Sequence, residues 1–224
     1  MGRADPGGSE PRPLTRAAAR PSPHPLPRLM LVTDRRETRG RDLEDVVAAA
    51  VGGGVGLVQV RERDLPEAEV ESLLRRLIER LRGTGASLLV NGHAGLARAF
   101  DIGLHLPATA PPLVAPRPAL YGRAAHDEGE TGRALAEDVS YIVVGPVFPT
   151  GSKPGHPGSG LETLARLARI AAPVPVFAIG GLTPDWVRPI RDAGIHGVAV
   201  RSAILGATHP DRAAREFAEA LRLG

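Results

Sequence analysis

Short apolar runs rich in Val, Ile and Leu recur along most of this chain, separated by stretches of helical periodicity. In order they are "LMLVT", "GLVQVR", "SLLVN", "IGLHL", "ALYGR", "YIVVGP", "VPVFAIG" and "GVAVRS". Such runs lack a clean polar alternation, which is the pattern of parallel strands buried on both faces. Between them, "LEDVVAAAV", "EAEVESLLRRLIERLR", "LETLARLARIA" and "DRAAREFAEALRLG" space their apolar residues as helices packed on one side do. Eight strands with intervening helices in roughly 200 residues predict an α/β chain forming a single closed (β/α)8 TIM barrel over 29–224. An open doubly wound sheet is the competing arrangement. Closure is favoured because a phosphate-site pattern follows the seventh and eighth strands, where barrels carry one.

Residues 1–28 have a different composition, Pro-, Gly- and Arg-rich without sustained periodicity, and read as a disordered or extended tail outside the fold. The 224 residues suffice for one sizeable core. With no cysteine, the chain cannot form a disulfide, a thiolate metal site or a cysteine nucleophile. No apolar run is long enough for a transmembrane helix, and the N-terminus lacks the apolar segment of an export signal. A cytoplasmic location without a membrane partner is therefore expected. The net charge is only +3, the arginines alternate with acidic residues along helical faces, and aromatic residues make up 3%. That leaves no stacking platform for bases, and no nucleic-acid partner is expected. A homo-oligomer is left open.

In either architecture the ligand site gathers beyond the carboxyl ends of the strands. After the seventh run, Gly180 and Gly181 expose backbone N–H groups, Thr183 stands where it can cap the next helix, and Pro184 suits its first turn. A tight turn needing glycine is the plain alternative. After the eighth run, Arg201, Ser202 and Ala203 open a short helix and supply a second set of donors, so the pair of loops points to a phosphorylated ligand. The loop after the sixth run carries Thr150, Ser152 and Lys153, the chain's only lysine. Lys153 is either a clamp on phosphate or carboxylate oxygens or a solvated loop cation.

Gln59, Arg61 and Arg63 share one side of the second run by two-residue alternation and could hold an anion or a polar ring. Glu62 and Asp64 could instead neutralise one of these arginines. Of the histidines near strand ends, His93, His105 and His126, each could be a satisfied structural residue, but His126 lies just past the fifth strand, at the rim. It is the candidate acid/base. No histidine pair has metal-site spacing, and no metal site is expected.

These segments together resemble the thiamine phosphate synthase and thiazole tautomerase family, small eight-stranded barrels of thiamine biosynthesis. The resemblance runs in order through "LVQVRERD", "LLVNGHAGLA", "GLHLP", "GRAAHD", "YIVVGPVFPTGSKPG", "GLETLARL", "PVFAIGGLTPDWV" and "GVAVRSAIL", from Leu29 to the end. It implies that Gly180, Gly181, Arg201, Ser202 and Ala203 hold the phosphate of a phosphorylated thiazole. It also places Thr150, Ser152 and Lys153 on the loop that covers pyrophosphate in synthases; with Gln59, Arg61, Arg63 and Asn91 these are the expected substrate-binding residues. The synthase branch joins a pyrimidine pyrophosphate to the thiazole and clamps Mg2+ with an aspartate after the strand-three asparagine and an acidic residue after strand four. Here those places read Asn91-Gly92 and "HLPATAPP", and a lysine usual in the strand-two motif is Arg63. The tautomerase branch needs no cofactor, and its proton-transfer histidine corresponds to His126 in "GRAAH". The expectation is therefore a thiazole tautomerase, an isomerase of a 2-carboxythiazole phosphate tautomer. The Mg2+-dependent synthase is second, and a non-catalytic thiazole-phosphate-binding or regulatory barrel third.

Overall fold

A computed structural model describes residues 26–114, 116–151 and 155–222. Its strands are β1 (Leu29–Val32), β2 (Leu57–Val60), β3 (Ser87–Asn91), β4 (Gly103–Leu106), β5 (Tyr121–Ala125), β6 (Tyr141–Val144), β7 (Val176–Ile179) and β8 (Gly197–Val200). Each pairs in parallel with the next, and β8 pairs back to β1, with Met30 opposite both Leu57 and Ala199. The closed (β/α)8 barrel expected from the sequence is the fold.

The helices are α1 (Leu43–Gly52), α2 (Glu67–Arg80), α3 (Ala94–Ala99), α4 (Glu128–Ala136), α5 (Gly160–Ala171), α6 (Val187–Asp192), α7 (Ser202–Leu205) and α8 (Pro210–Arg222). They form the outer layer. In α2 the buried side chains are Val70, Leu73, Leu74 and Leu77, one stripe at helical spacing, each contributing about 1.5–3 kcal/mol by burial. Two of its arginines pair with α1, Arg76 with Glu44 and Arg80 with Asp45, while Arg75 pairs with Glu71 within the helix.

Two-residue alternation divides the strands between two cores. Leu31, Val58, Val60, Ile142, Ala178 and Val198 pack outward under the helices. Met30, Leu57, Leu89, Tyr141, Phe177 and Ala199 fill the barrel interior. Large side chains fit there because neighbouring strands supply glycine: a Cβ on Gly122 would enter the Tyr141 ring, and one on Gly103 would strike Leu89. Tyr141 meets Phe177 edge to face at 5.6 Å and stacks on His105 at 5.7 Å. This plug closes the lower barrel and leaves the upper end open.

Three details depart from the sequence reading. The sequence sets the tail at 1–28, but Leu26 already packs on the interior core and its carbonyl accepts from His196 Nε2 at 3.0 Å. The Arg28 carbonyl likewise accepts from Val198 N at 2.9 Å, so the described chain joins the barrel from Leu26. The helix α4 was not anticipated, being short and rich in Gly and Glu. Conversely, the β4–β5 connection carries no helix among its described residues. Its prolines disfavour one. The buried Arg123 guanidinium fastens the connection instead, donating to the carbonyls of Ala110 and Pro111, each at 2.7 Å, while pairing with Glu137 at 3.1 Å.

Candidate functional site

Above the Tyr141 plug the inward-facing positions line a cavity of about 630 Å3 at the carboxyl ends of the strands. Gln59, Arg61, Arg63, Asn91, His126, Thr150, Gly180, Gly181, Arg201, Ser202 and Ala203 all border it. Ser152 and Lys153 lie outside the described residues. The sequence scattered these groups over six strand ends, and barrel closure gathers them around one space.

The β2 wall supplies the positive charge. Gln59 Oε1 accepts from Asn91 Nδ2 at 3.3 Å, so the two amides orient each other across adjacent strands. Two residues further on, Arg61 faces the same way, and its backbone N–H donates to Thr33 Oγ1 at 2.9 Å. The carboxylates beside it in sequence turn away. Glu62 is buried and accepts from Thr33 Oγ1 at 2.6 Å and from the backbone N–H of Arg35 at 3.0 Å. Asp64 takes both terminal nitrogens of Arg35, at 2.8 and 3.0 Å. Arg35 thus consumes the charges that the sequence left available to Arg61 or Arg63. Neither of those two forms an ion pair among the described residues. Burial, together with the charges of Arg63 and Arg201, pulls the Arg61 guanidinium below its usual value. An anion entering the cavity would relieve that strain.

The opposite wall is built from the two loops after β7 and β8. Gly180 has φ 103° and Gly181 φ 66°, and a Cβ on Gly181 would strike the Pro149 carbonyl and Phe148. The β6 loop therefore lies directly on the glycine pair. It is tied there by Val147 N to Ile179 O at 2.9 Å and Phe148 N to Gly180 O at 3.1 Å, and Phe148 stacks on Trp186 at 4.0 Å. Thr183 occupies the cap position expected of it but makes no side-chain capping bond. The residue borders the cavity. The Arg201 guanidinium reaches Glu37 at 2.6 Å and Asp34 at 3.8 Å, and Arg201, Ser202 and Ala203, at the start of α7, border the cavity.

His126 stands one residue past β5. Its Nδ1 lies 2.8 Å from Glu130 Oε2, and its backbone N–H donates to the same oxygen at 2.7 Å. The other histidines of interest separate cleanly. His93 pairs with Glu67 on the surface at 3.0 Å. His105, for which a structural role is one expectation, is buried with Nδ1 3.1 Å from the Tyr141 hydroxyl and forms part of the cavity floor. Burial, then the charges of Arg61 and Arg123, hold its imidazole down to about 3, so it is neutral at physiological pH. The folded state thus resists a proton that the unfolded chain accepts near 6.5. Stability is expected to fall as pH drops from about 6.5 toward 3, and urea midpoints of His105→Gln should show a shallower fall than wild type.

The reading from sequence also passed over Thr109, on the helix-free β4–β5 connection, and Glu130. Glu130 had a signal: Asp127 and Glu130 stand three apart before a helix, the spacing of a capping box, and Glu130 N donates to Asp127 Oδ1 at 2.7 Å.

Residues 29–204 match the family model described as thiamine monophosphate synthase. The chain belongs to that family. A thiamine-phosphate synthase of Mycobacterium sp. (strain JLS) is 39% identical over 210 residues, covering 86% of this chain and 92% of that protein. One from Streptomyces avermitilis is 37% identical over 202 residues, covering 87% and 94%. The solved structure of thiamine phosphate pyrophosphorylase from Pyrococcus furiosus superposes with a TM-score of 0.78 at 28% identity, over 88% of this chain and 96% of that one. These names favour the synthase, the second of the sequence readings, and none singles out the tautomerase branch.

The synthase reading brings a divalent cation with it, and the donor set tests whether this family member could hold one. Among the described residues lining the cavity there is no Asp or Glu. No group of three or more His, Cys, Asp or Glu is placed to hold a metal among the described residues. Magnesium is held through carboxylates and phosphates, whereas this wall offers amides, hydroxyls, imidazoles and guanidiniums. The residues present do not fit a carboxylate-held cation. No helix among the described residues is long and apolar enough to cross a membrane.

Proposed function

We propose that this chain is a thiazole tautomerase of thiamine biosynthesis, with His126 as the proton-transfer group. Family membership supports an enzyme of thiamine biosynthesis whose ligand is a phosphorylated thiazole. The observation that carries the finer reading is the cavity's charge pattern: arginines on one wall, glycine-backed donors on the other, an imidazole at the rim and no carboxylate among the described lining residues. In this reading the thiazole phosphate sits against Gly180, Gly181, Ser202 and Ala203. The carboxylate faces Arg61 and Arg63. His126 takes the proton from one position of the non-aromatic tautomer and returns it at another. Composition is unchanged, so no co-reactant is needed, and aromatisation supplies the driving force.

The synthase is the second reading, supported by the names of relatives at 37% and 39% identity. Two assays separate them. An isomerase converts one substrate in the presence of a chelator; a synthase releases pyrophosphate only with both substrates and magnesium. Pyrophosphate release without single-substrate aromatisation would replace the first reading with the second.

A further inference from the structure

We infer that Glu130 is a positioning residue that fixes the tautomer of His126, so that the lone pair of the neutral ring lies on Nε2. Its catalytic consequence rests on the isomerase reading above; the tautomer itself does not. Glu130 Oε2 accepts the backbone N–H of His126 at 2.7 Å, which identifies that oxygen as an acceptor. The ring nitrogen 2.8 Å from the same oxygen is Nδ1, and a carboxylate oxygen can only accept from it. Neutral His126 is thereby the Nδ1–H tautomer, and Nε2 is the basic nitrogen.

The carboxylate is itself held in place. Helix α4 begins at Glu128 behind the Asp127 cap, whose Oδ1 accepts from Glu130 N at 2.7 Å, and Thr131 Oγ1 donates to the Asp127 carbonyl at 2.8 Å. Arg133, one turn on, lies 3.8 Å from Glu130 Oε1 and so draws the second oxygen away from the ring. In an ordinary capping box the glutamate reaches back to the N–H of the cap residue. Here it reaches one residue further, to His126. A device that starts a helix therefore also sets the direction of a catalytic ring. The Glu130 side chain is mostly shielded, 17% exposed, whereas the His126 ring it holds is 43% exposed to the open end of the barrel.

Long-range 1H–15N correlation spectra of the imidazoles test this, with His126 identified by its loss in His126→Gln. Wild type should show the Nδ1–H form of neutral His126. Glu130→Ala should shift the ring toward Nε2–H and lower kcat by about tenfold with KM within about twofold, an orientation effect rather than a binding one. Glu130→Gln, whose amide oxygen still accepts from Nδ1, should keep the tautomer and recover most of the rate. A wild-type ring that is mainly Nε2–H overturns the inference, and that result does not depend on whether Glu130→Ala folds. A folded Glu130→Ala with unchanged tautomer and kcat overturns it as well. An Nδ1–H wild type that fails to aromatise the substrate sinks the isomerase reading and leaves the tautomer assignment standing.

Discussion

His126→Gln is expected to lower kcat for aromatisation by about a hundred- to ten-thousandfold, the range that a positioned acid/base is worth. KM should change little, because the binding contacts come from the β2 wall and from the loops after β7 and β8. Glutamine keeps a polar side chain able to reach Glu130 but cannot shuttle a proton near neutral pH. Stopped-flow ultraviolet absorbance under single-turnover conditions reads the chemical step directly. A variant with wild-type single-turnover rate would remove His126 from the mechanism.

Arg61→Ala should act on the other half of the reaction coordinate. Its guanidinium is pushed down by burial and by two neighbouring arginines, and it forms no ion pair among the described residues. Such a charge contributes little to folding and much to holding an anion. Loss of one charge-assisted hydrogen bond at the ~3 kcal/mol end of its range predicts about a hundredfold fall in kcat/KM, chiefly through KM. Arg61→Lys should recover only part of this, because a point charge replaces a planar fork. Melting temperature should be unchanged or raised, since the substitution removes like-charge repulsion. Unchanged KM with a lowered melting temperature would mark Arg61 as structural and contradict the anion-binding account.

The barrel was legible because parallel strands buried on both faces leave runs such as "YIVVGP" that few other elements tolerate. The cavity wall was legible for a related reason. Two-residue alternation along β2 turns Gln59 inward, and Arg61 and Arg63, just past the strand, border the cavity beside it. Partner choice was not legible. "RERD" offers its arginines their own neighbouring carboxylates, and only the fold reveals that Arg35, following β1, takes Glu62 and Asp64 instead. Arg201 shows the same limit, its side chain turned to Glu37 by a contact 164 residues away in sequence. The α4 helix was overlooked because "EGETGRALA" lacks a strong apolar stripe, with only Thr131 and Ala134 buried. Its Asp127 and Glu130 pair was the available sign, and with it the positioning role of Glu130.

The most direct test of the central claim is an ultraviolet time course of the non-aromatic 2-carboxythiazole phosphate tautomer with wild-type protein and excess chelator. Aromatisation well above the buffer rate, unchanged when magnesium replaces the chelator, is the predicted result. No acceleration over buffer, together with magnesium-dependent pyrophosphate release when the pyrimidine pyrophosphate and thiazole phosphate are supplied, would contradict it.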